Sequence, residues 1–123
     1  MKAKSAIKSQ KELLKKAIEI INDIKKEINI IDVYVVGSRA RGDYLDTSDL
    51  DLVIISDDFK NLRYIERLEK LYKYSKGDIE FFAFTKEEWD NPKSLFIINM
   101  KKEAKKLEEL LKSYEINYLN ILK

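Results

Sequence analysis

The chain contains no cysteine and no histidine. Without cysteine there are no disulfides and no thiolate chemistry, and the redox compartment cannot be read from cysteine usage. Without histidine there is no imidazole base and no zinc held by imidazole. Any metal ligand must be an oxygen, and the metal must be hard. Long apolar runs are missing too: none approaches the ~20 residues that span a bilayer. The start of the chain is lysine-rich but lacks the apolar core of a signal peptide, so no membrane association and a cytoplasmic location are expected. A large excess of one charge is also absent. The 24 basic and 22 acidic residues leave a net charge of +2, which argues against a dedicated nucleic-acid binder. Three glycines and one proline, beside abundant Lys, Glu and Ile, resemble a thermophile's composition, a look that a biased genome also produces.

With 123 residues, 45% hydrophobic and 37% charged, the chain has the make-up of a single globular domain, residues 1–123. Residues 5–28 predict an amphipathic helix, with Leu14, Ala17, Ile18, Ile21, Ile24 and Ile28 at three- and four-residue steps. Residues 31–36 are a short β-branched run and predict a buried strand. Ser38 is placed to cap a short helix through Arg41. Residues 49–56 predict a second strand, apolar on both faces from Leu52 onward and therefore covered on both sides. A helix over residues 61–74 ends toward Gly77, a natural C-cap, and residues 78–84 form a third strand. Thr85 to Glu88 is a capping-box pattern, and Pro92 interrupts the helical turn it opens. One long helix is expected over residues 94–114, with Phe96, Ile97, Met100, Ala104, Leu107 and Leu111 on one side. The tail, with Ile116, Tyr118, Leu119, Ile121 and Leu122, extends that helix or docks separately. The order is α-β-α-β-α-β-α, an α/β (α+β) domain with its core over about residues 31–84 and a C-terminal helical segment over about 94–123.

The chemistry concentrates in Gly37-Ser38-Arg39-Ala40-Arg41-Gly42-Asp43 and the nearby Asp49-Leu50-Asp51. A glycine lets backbone approach a phosphate closely, and a serine hydroxyl can donate to a phosphate oxygen. The helix that follows offers free N–H groups. Arg39 and Arg41 suit bidentate phosphate contacts. Read singly, Gly37-Ser38 is an ordinary strand-to-helix turn and each arginine a solvated side chain. Side chains alternate along a strand, so Asp49 and Asp51 point the same way. Two carboxylates on one face repel and are costly unless a cation lies between them. The plainer reading is a polar start to a strand with both acids in water. Glu80 is the odd residue in an otherwise apolar third strand, either an acid with a partner or a job, or an edge residue facing water. Asp78, directly after Gly77, is the other acid available there. Among the aromatics, Tyr44 alone lies in the loop between the basic turn and the carboxylates and is the candidate for stacking on a base.

These residues resemble the nucleotidyltransferase superfamily of the DNA polymerase β type, and in particular its small prokaryotic branch, the minimal nucleotidyltransferases often encoded next to a HEPN protein. The shared pattern is Val36-Gly37-Ser38, ten intervening residues, Asp49-Leu50-Asp51-Leu52, and an acid on a third strand. Arg39-Ala40-Arg41-Gly42 also looks like this branch. The resemblance implies a mixed sheet flanked by helices and two Mg²⁺ ions held by Asp49, Asp51 and, by register, Glu80. It implies that Ser38 and its turn hold the triphosphate of a nucleotide, and that a hydroxyl attacks the α-phosphorus and releases pyrophosphate. Glu80 departs from the commonest pattern, which has aspartate there.

Two functions compete at this point. The first is an Mg²⁺-dependent transferase moving AMP from ATP to a hydroxyl of a protein or an RNA acceptor. Under the resemblance, that acceptor would be a tyrosine on a HEPN-type toxin, with this chain as antitoxin. The second is a catalytically weak module that neutralises a partner by occlusion, through the C-terminal helix and apolar tail. A transferase acting on a small molecule such as an aminoglycoside is weaker, because nothing beyond the core looks like an acceptor-binding domain.

Overall fold

The computed structural model describes residues 3–118. Helix α1 (Lys4–Ile24) leads into β1 (Asp32–Val36), the four-residue α2 (Ser38–Arg41), β2 (Leu50–Ile55) and a 3-10 turn at Asp57–Phe59. Then come α3 (Tyr64–Tyr72), β3 (Ile79–Phe84), α4 (Lys86–Asp90), α5 (Leu95–Glu103), a two-residue β4 (Lys105–Lys106) and α6 (Leu107–Ser113). The four strands form one mixed sheet in the order β3-β2-β1-β4. β1 runs antiparallel to both β2 and β4, while β2 and β3 are parallel.

Alternation along the strands divides the core in two. Val33, Val35, Leu50, Leu52, Ile54, Ile79, Phe81 and Ala83 face one way. They pack with Leu14, Ala17, Ile21 and Ile24 of α1, Leu71 of α3, and Leu107 and Leu111 of α6. Val36, Val53, Ile55 and Phe84 face the other way, against Trp89 of α4 and Met100 of α5. Both faces of β2 are therefore covered, as its unbroken apolar run requires.

Several boundaries differ from the sequence reading: α1 ends at Ile24 rather than 28, and α3 ends at Tyr72 with Lys73, not Gly77, as its cap. Helix α3 starts three residues later than expected, because Asn61 takes a left-handed conformation (φ 66°) after the 3-10 turn. The larger correction concerns the single helix expected over residues 94–114. The chain breaks at Ala104 (φ −66°, ψ 137°), and Lys105 and Lys106 pair with Val35 and Tyr34 of β1. Neither glycine nor proline causes this break. One continuous helix could apply its apolar side to only one face of the sheet. Broken, the segment crosses the sheet edge, so that Ile97, Met100 and Ala104 pack on one face and Leu107, Leu110 and Leu111 on the other. Beyond α6 the tail docks rather than continuing the helix: Ile116 is buried and Tyr118 packs on the same cluster. Leu119, Ile121 and Leu122 lie outside the described residues.

The outer edge of β3 is capped by α3. The N–H of Ala83 donates to the Tyr64 hydroxyl (3.3 Å), the N–H of Phe81 to the Tyr72 hydroxyl (3.1 Å), and Arg67 Nη1 donates to the Ala83 carbonyl (3.2 Å). Arg67 also pairs with Glu88 at 2.6 Å, tying α3 to α4. Side chains thus occupy the edge groups that would otherwise template pairing with another strand.

Candidate active site

The sheet gathers the separate parts of the motif at one end. β1 and β2 are antiparallel, so Val36, the last residue of β1, lies opposite Asp51 near the start of β2. β2 and β3 are parallel, so Asp51 is level with Glu80 near the start of β3. Asp51 and Glu80 both lie on the sheet face that carries Val53 and Phe82, the face away from α1. Asp49 is exposed, one residue before β2 begins. Asp78 sits in the turn ahead of β3 with φ 38°, its carbonyl accepting the N–H of Leu50 (2.9 Å). Of the two acids offered by the third strand, the register brings Glu80 to the level of Asp51.

Gly37 is the hinge of this end. Its backbone (φ 75°, ψ −159°) falls in a region open essentially to glycine alone, and a Cβ there would stand 2.6 Å from Asp51 Oδ2. The turn and the carboxylate are in contact, and only a missing side chain allows it. Gly37→Ala is expected to cost about 1–3 kcal/mol through strain at this backbone position. It should also displace the Asp51 carboxylate, and with it any ligand of that carboxylate. Thermal melting and nucleotide calorimetry on the one variant read both effects. Ser38 is the first residue of α2 rather than its cap; the cap position belongs to Gly37.

Asp51 is half-buried, and its pKa is pushed up to about 6. Burial contributes most, followed by the charges of Glu80, Asp49 and Glu103, with Arg41 opposing them. Three acids thus act on Asp51 at this end of the sheet, an arrangement that favours a bound cation. All the donors are carboxylate oxygens, the chemistry that hard divalent ions take. Among the described residues, no three acids are already drawn close enough to hold a metal ion.

The two arginines of the turn do different things. Arg41 is on the site side: its Nη1 donates to Glu103 Oε2 (2.7 Å) and its Nε faces Asp43 at 3.3 Å. These contacts hold its pKa above the ordinary value. Arg39 is turned into the fold and bonds to neutral groups, with the charge of Asp49 still acting on it, unlike its expected part in nucleotide binding. It is 1% exposed, and its guanidinium donates to the Ser48 carbonyl (2.7 Å), the Asp46 carbonyl, Ser9 Oγ and Gln10 Oε1. Tyr44 departs from expectation in the same way. It is also 1% exposed, its ring lies under the Arg39 guanidinium at 4.7 Å, and its hydroxyl shares a hydrogen bond with that of Tyr114. Arg39 and Tyr44 brace the loop that leads to Asp49. Of the other aromatics, Trp89 packs against Tyr34 (4.9 Å) and Phe84 (6.1 Å), and Tyr74 bonds to Glu27.

The residue that sequence reasoning missed is Glu103. Its carboxylate accepts the N–H of Gly37 (2.9 Å) with one oxygen and binds Arg41 with the other. Glu103 stands 66 residues from Gly37 and looks like any helical glutamate. Only the β4–β1 pairing just after it carries it to this end of the sheet. A cavity of about 480 Å³, lined in part by Tyr64, Phe84, Asn91 and Ile97, lies elsewhere, at the Phe84 end of β3.

Over residues 14–122 the chain matches the family described as Nucleotidyltransferase domain. It belongs to that family. Among solved structures, this nucleotidyltransferase-family chain resembles a candidate nucleotidyltransferase from Sulfolobus solfataricus. The two are 33% identical with a TM-score of 0.72, over 85% of this chain and 87% of that one. It also shares its fold with a chain of a toxin-antitoxin structure with AMP-PNP, at 18% identity and a TM-score of 0.51, over 82% of this chain and 79% of the other. No curated protein gives a significant match. The mixed sheet flanked by helices is the nucleotidyltransferase-like fold that the motif implies. No helix among the described residues is long and apolar enough to cross a membrane.

Proposed function

We propose that this protein transfers AMP from ATP to a hydroxyl of a protein or RNA acceptor, with Asp49, Asp51 and Glu80 holding two Mg²⁺ ions. The observation that carries the proposal is the convergence at Asp51, which is paired in register with Glu80, in contact with Gly37, and raised by burial and by the acids around it. When bound, Mg²⁺ neutralises phosphate charge and eases ionisation of the attacking hydroxyl. The chain's own residues do the placing. Gly37 presents backbone to the phosphates without a side chain, and Ser38 offers its hydroxyl to a phosphate oxygen. Arg41 carries a charge that a triphosphate can draw away from Glu103. In the transfer, the acceptor oxygen bonds to the α-phosphorus as the bond to pyrophosphate breaks. The toxin-antitoxin relative shares the fold and contains an ATP analogue. We extend its nucleotide class and its kind of assembly to this chain, with a HEPN-type toxin as acceptor and the cytoplasm as location.

Calorimetry with ATP and Mg²⁺ tests the site. Binding should disappear in Asp49→Asn and in Asp51→Asn, and equal affinity for wild type and both variants would sink the two-metal reading. Incubation with the product of the neighbouring gene and labelled nucleotides tests the transfer, through the mass increment of one nucleotidyl group.

One observation favours occlusion of a partner instead. Leu95 and Phe96 at the start of α5 are 69% and 59% exposed, and Ile98 is exposed beside them. Large apolar side chains grouped on one surface helix mark a contact site. A stable complex with the partner, and no mass increment with any nucleotide, would establish this second reading.

A further inference from the structure

Glu80 is the exposed member of β3, between Ile79 and Phe81, which point into the core. A glutamate in that position has three rotatable bonds, and its carboxylate loses freedom only if something holds it. Tyr72, the last residue of α3, does so. Its hydroxyl donates to Glu80 Oε2 at 3.2 Å and accepts the N–H of Phe81 at 3.1 Å. A phenol can donate once, and here the donor goes to the carboxylate because the backbone N–H takes the acceptor side. The ring is fixed independently by an edge-on contact with Phe81, with centroids 5.1 Å apart and planes at 76°. Packing therefore sets the ring, the backbone sets the hydroxyl, and the hydroxyl aims the carboxylate. The bond engages Oε2 and leaves Oε1 for another partner.

We infer that Tyr72 is a positioning residue for the third carboxylate, holding Glu80 in the orientation that lets a glutamate serve where aspartate is usual. This rests on the reading of Glu80 as a metal ligand. Chain length makes the inference specific. Replacing Glu80 by aspartate withdraws the carboxylate by about one C–C bond, ~1.5 Å, which takes it out of hydrogen-bond reach of Tyr72. The hydroxyl then has nothing to position.

The test is a titration of the intact protein with MgCl2 in the presence of AMP-PNP, followed by calorimetry, with melting in EDTA as a control for packing. Four variants are compared: Glu80→Gln, Glu80→Asp, Tyr72→Phe and the double variant Tyr72→Phe with Glu80→Asp. Glu80→Gln removes a ligand and should weaken Mg²⁺ the most. Tyr72→Phe keeps the ring and should weaken Mg²⁺ about tenfold, the usual effect of losing a group that orients a ligand. Its melting temperature in EDTA should fall by no more than the loss of the one edge hydrogen bond from Phe81 brings. In the Glu80→Asp background the same tyrosine change should have no further effect, so the two sites couple by about tenfold. If Glu80→Gln leaves Mg²⁺ affinity unchanged, the reading of Glu80 as a ligand falls and the inference falls with it. If Glu80→Gln weakens Mg²⁺ but Tyr72→Phe does not, the site reading stands and the inference is overturned. A full tyrosine effect persisting in the Glu80→Asp background, or a lowered melting temperature in EDTA with Mg²⁺ affinity intact, overturns it too by assigning Tyr72 to packing.

Discussion

Asp51→Asn is expected to stabilise the metal-free protein at neutral pH while removing its capacity to bind nucleotide with Mg²⁺. Asp51 stands among Glu80, Asp49 and Glu103, and in the folded chain its pKa rises to about 6. In the unfolded chain an aspartate ionises near about 4. The folded state therefore holds this proton more tightly, and ionising the group costs folding free energy. The cost is absent below about pH 4, grows as pH rises toward about 6, and is fully present above that. An asparagine cannot ionise and escapes it. Screened by the solvent that reaches a half-buried group, the gain at pH 7.5 is about 1–2 kcal/mol. Melting of wild type and Asp51→Asn in EDTA at pH 4 and pH 7.5 measures it. The curves should nearly coincide at pH 4 and separate at pH 7.5, with the variant melting higher. A variant that melts lower at pH 7.5 would show that the carboxylate supports the fold, and the charge cluster would lose its meaning as a cation site. A residue whose removal stabilises the chain is held for what it binds.

Arg39→Ala should be the most destabilising single change around the turn. The guanidinium is almost completely buried and satisfies two loop carbonyls together with Ser9 and Gln10 of α1, while Gln10 Nε2 donates back to the Arg39 carbonyl at 3.1 Å. Truncation leaves those acceptors facing a void, at a cost of about 3–5 kcal/mol. For a domain of this size that is about 10–20 °C in melting temperature. Arg39→Lys should recover little of it, because Ser48 is held by two nitrogens of one planar fork (3.1 and 2.7 Å) and an ammonium cannot reproduce the pair. Arg41→Ala is the control. Its ion pairs are solvent-exposed, so it should move the melting temperature by little, and its effect should appear in nucleotide affinity. Equal losses of stability for the two alanine variants would contradict the division of roles.

That division marks the boundary of what could be read in advance. Both arginines follow Gly-Ser, both belong to a basic turn, and both suit a phosphate. Residues two apart on a helix do not face the same way, so one had to turn inward, and periodicity over four residues cannot say which. Tyr44 is similar. Its place in the loop suggested stacking on a ligand, whereas burial under Arg39 makes it part of the brace. The break at Ala104 carried no signal at all. Local propensity favours helix through Lys105 and Lys106, and the gain that overrides it comes from covering two sheet faces and one sheet edge at once.

The amino-acid sequence by itself determined the three principal strands, the helix that precedes them, and the family to which the chain belongs. Alternation, β-branched runs and the spacing from Gly37-Ser38 to Asp49 and Asp51 are local properties, and local properties survive in a string of residues. Only the tertiary structure decided which acid of the third strand stands level with Asp51 and that Glu103 reaches Gly37. It also decided that Tyr72 touches Glu80 and that Arg39 is a brace. Each of these depends on strand register or on contacts between distant elements. Such contacts follow from how the whole chain closes its core, which no short window of sequence contains.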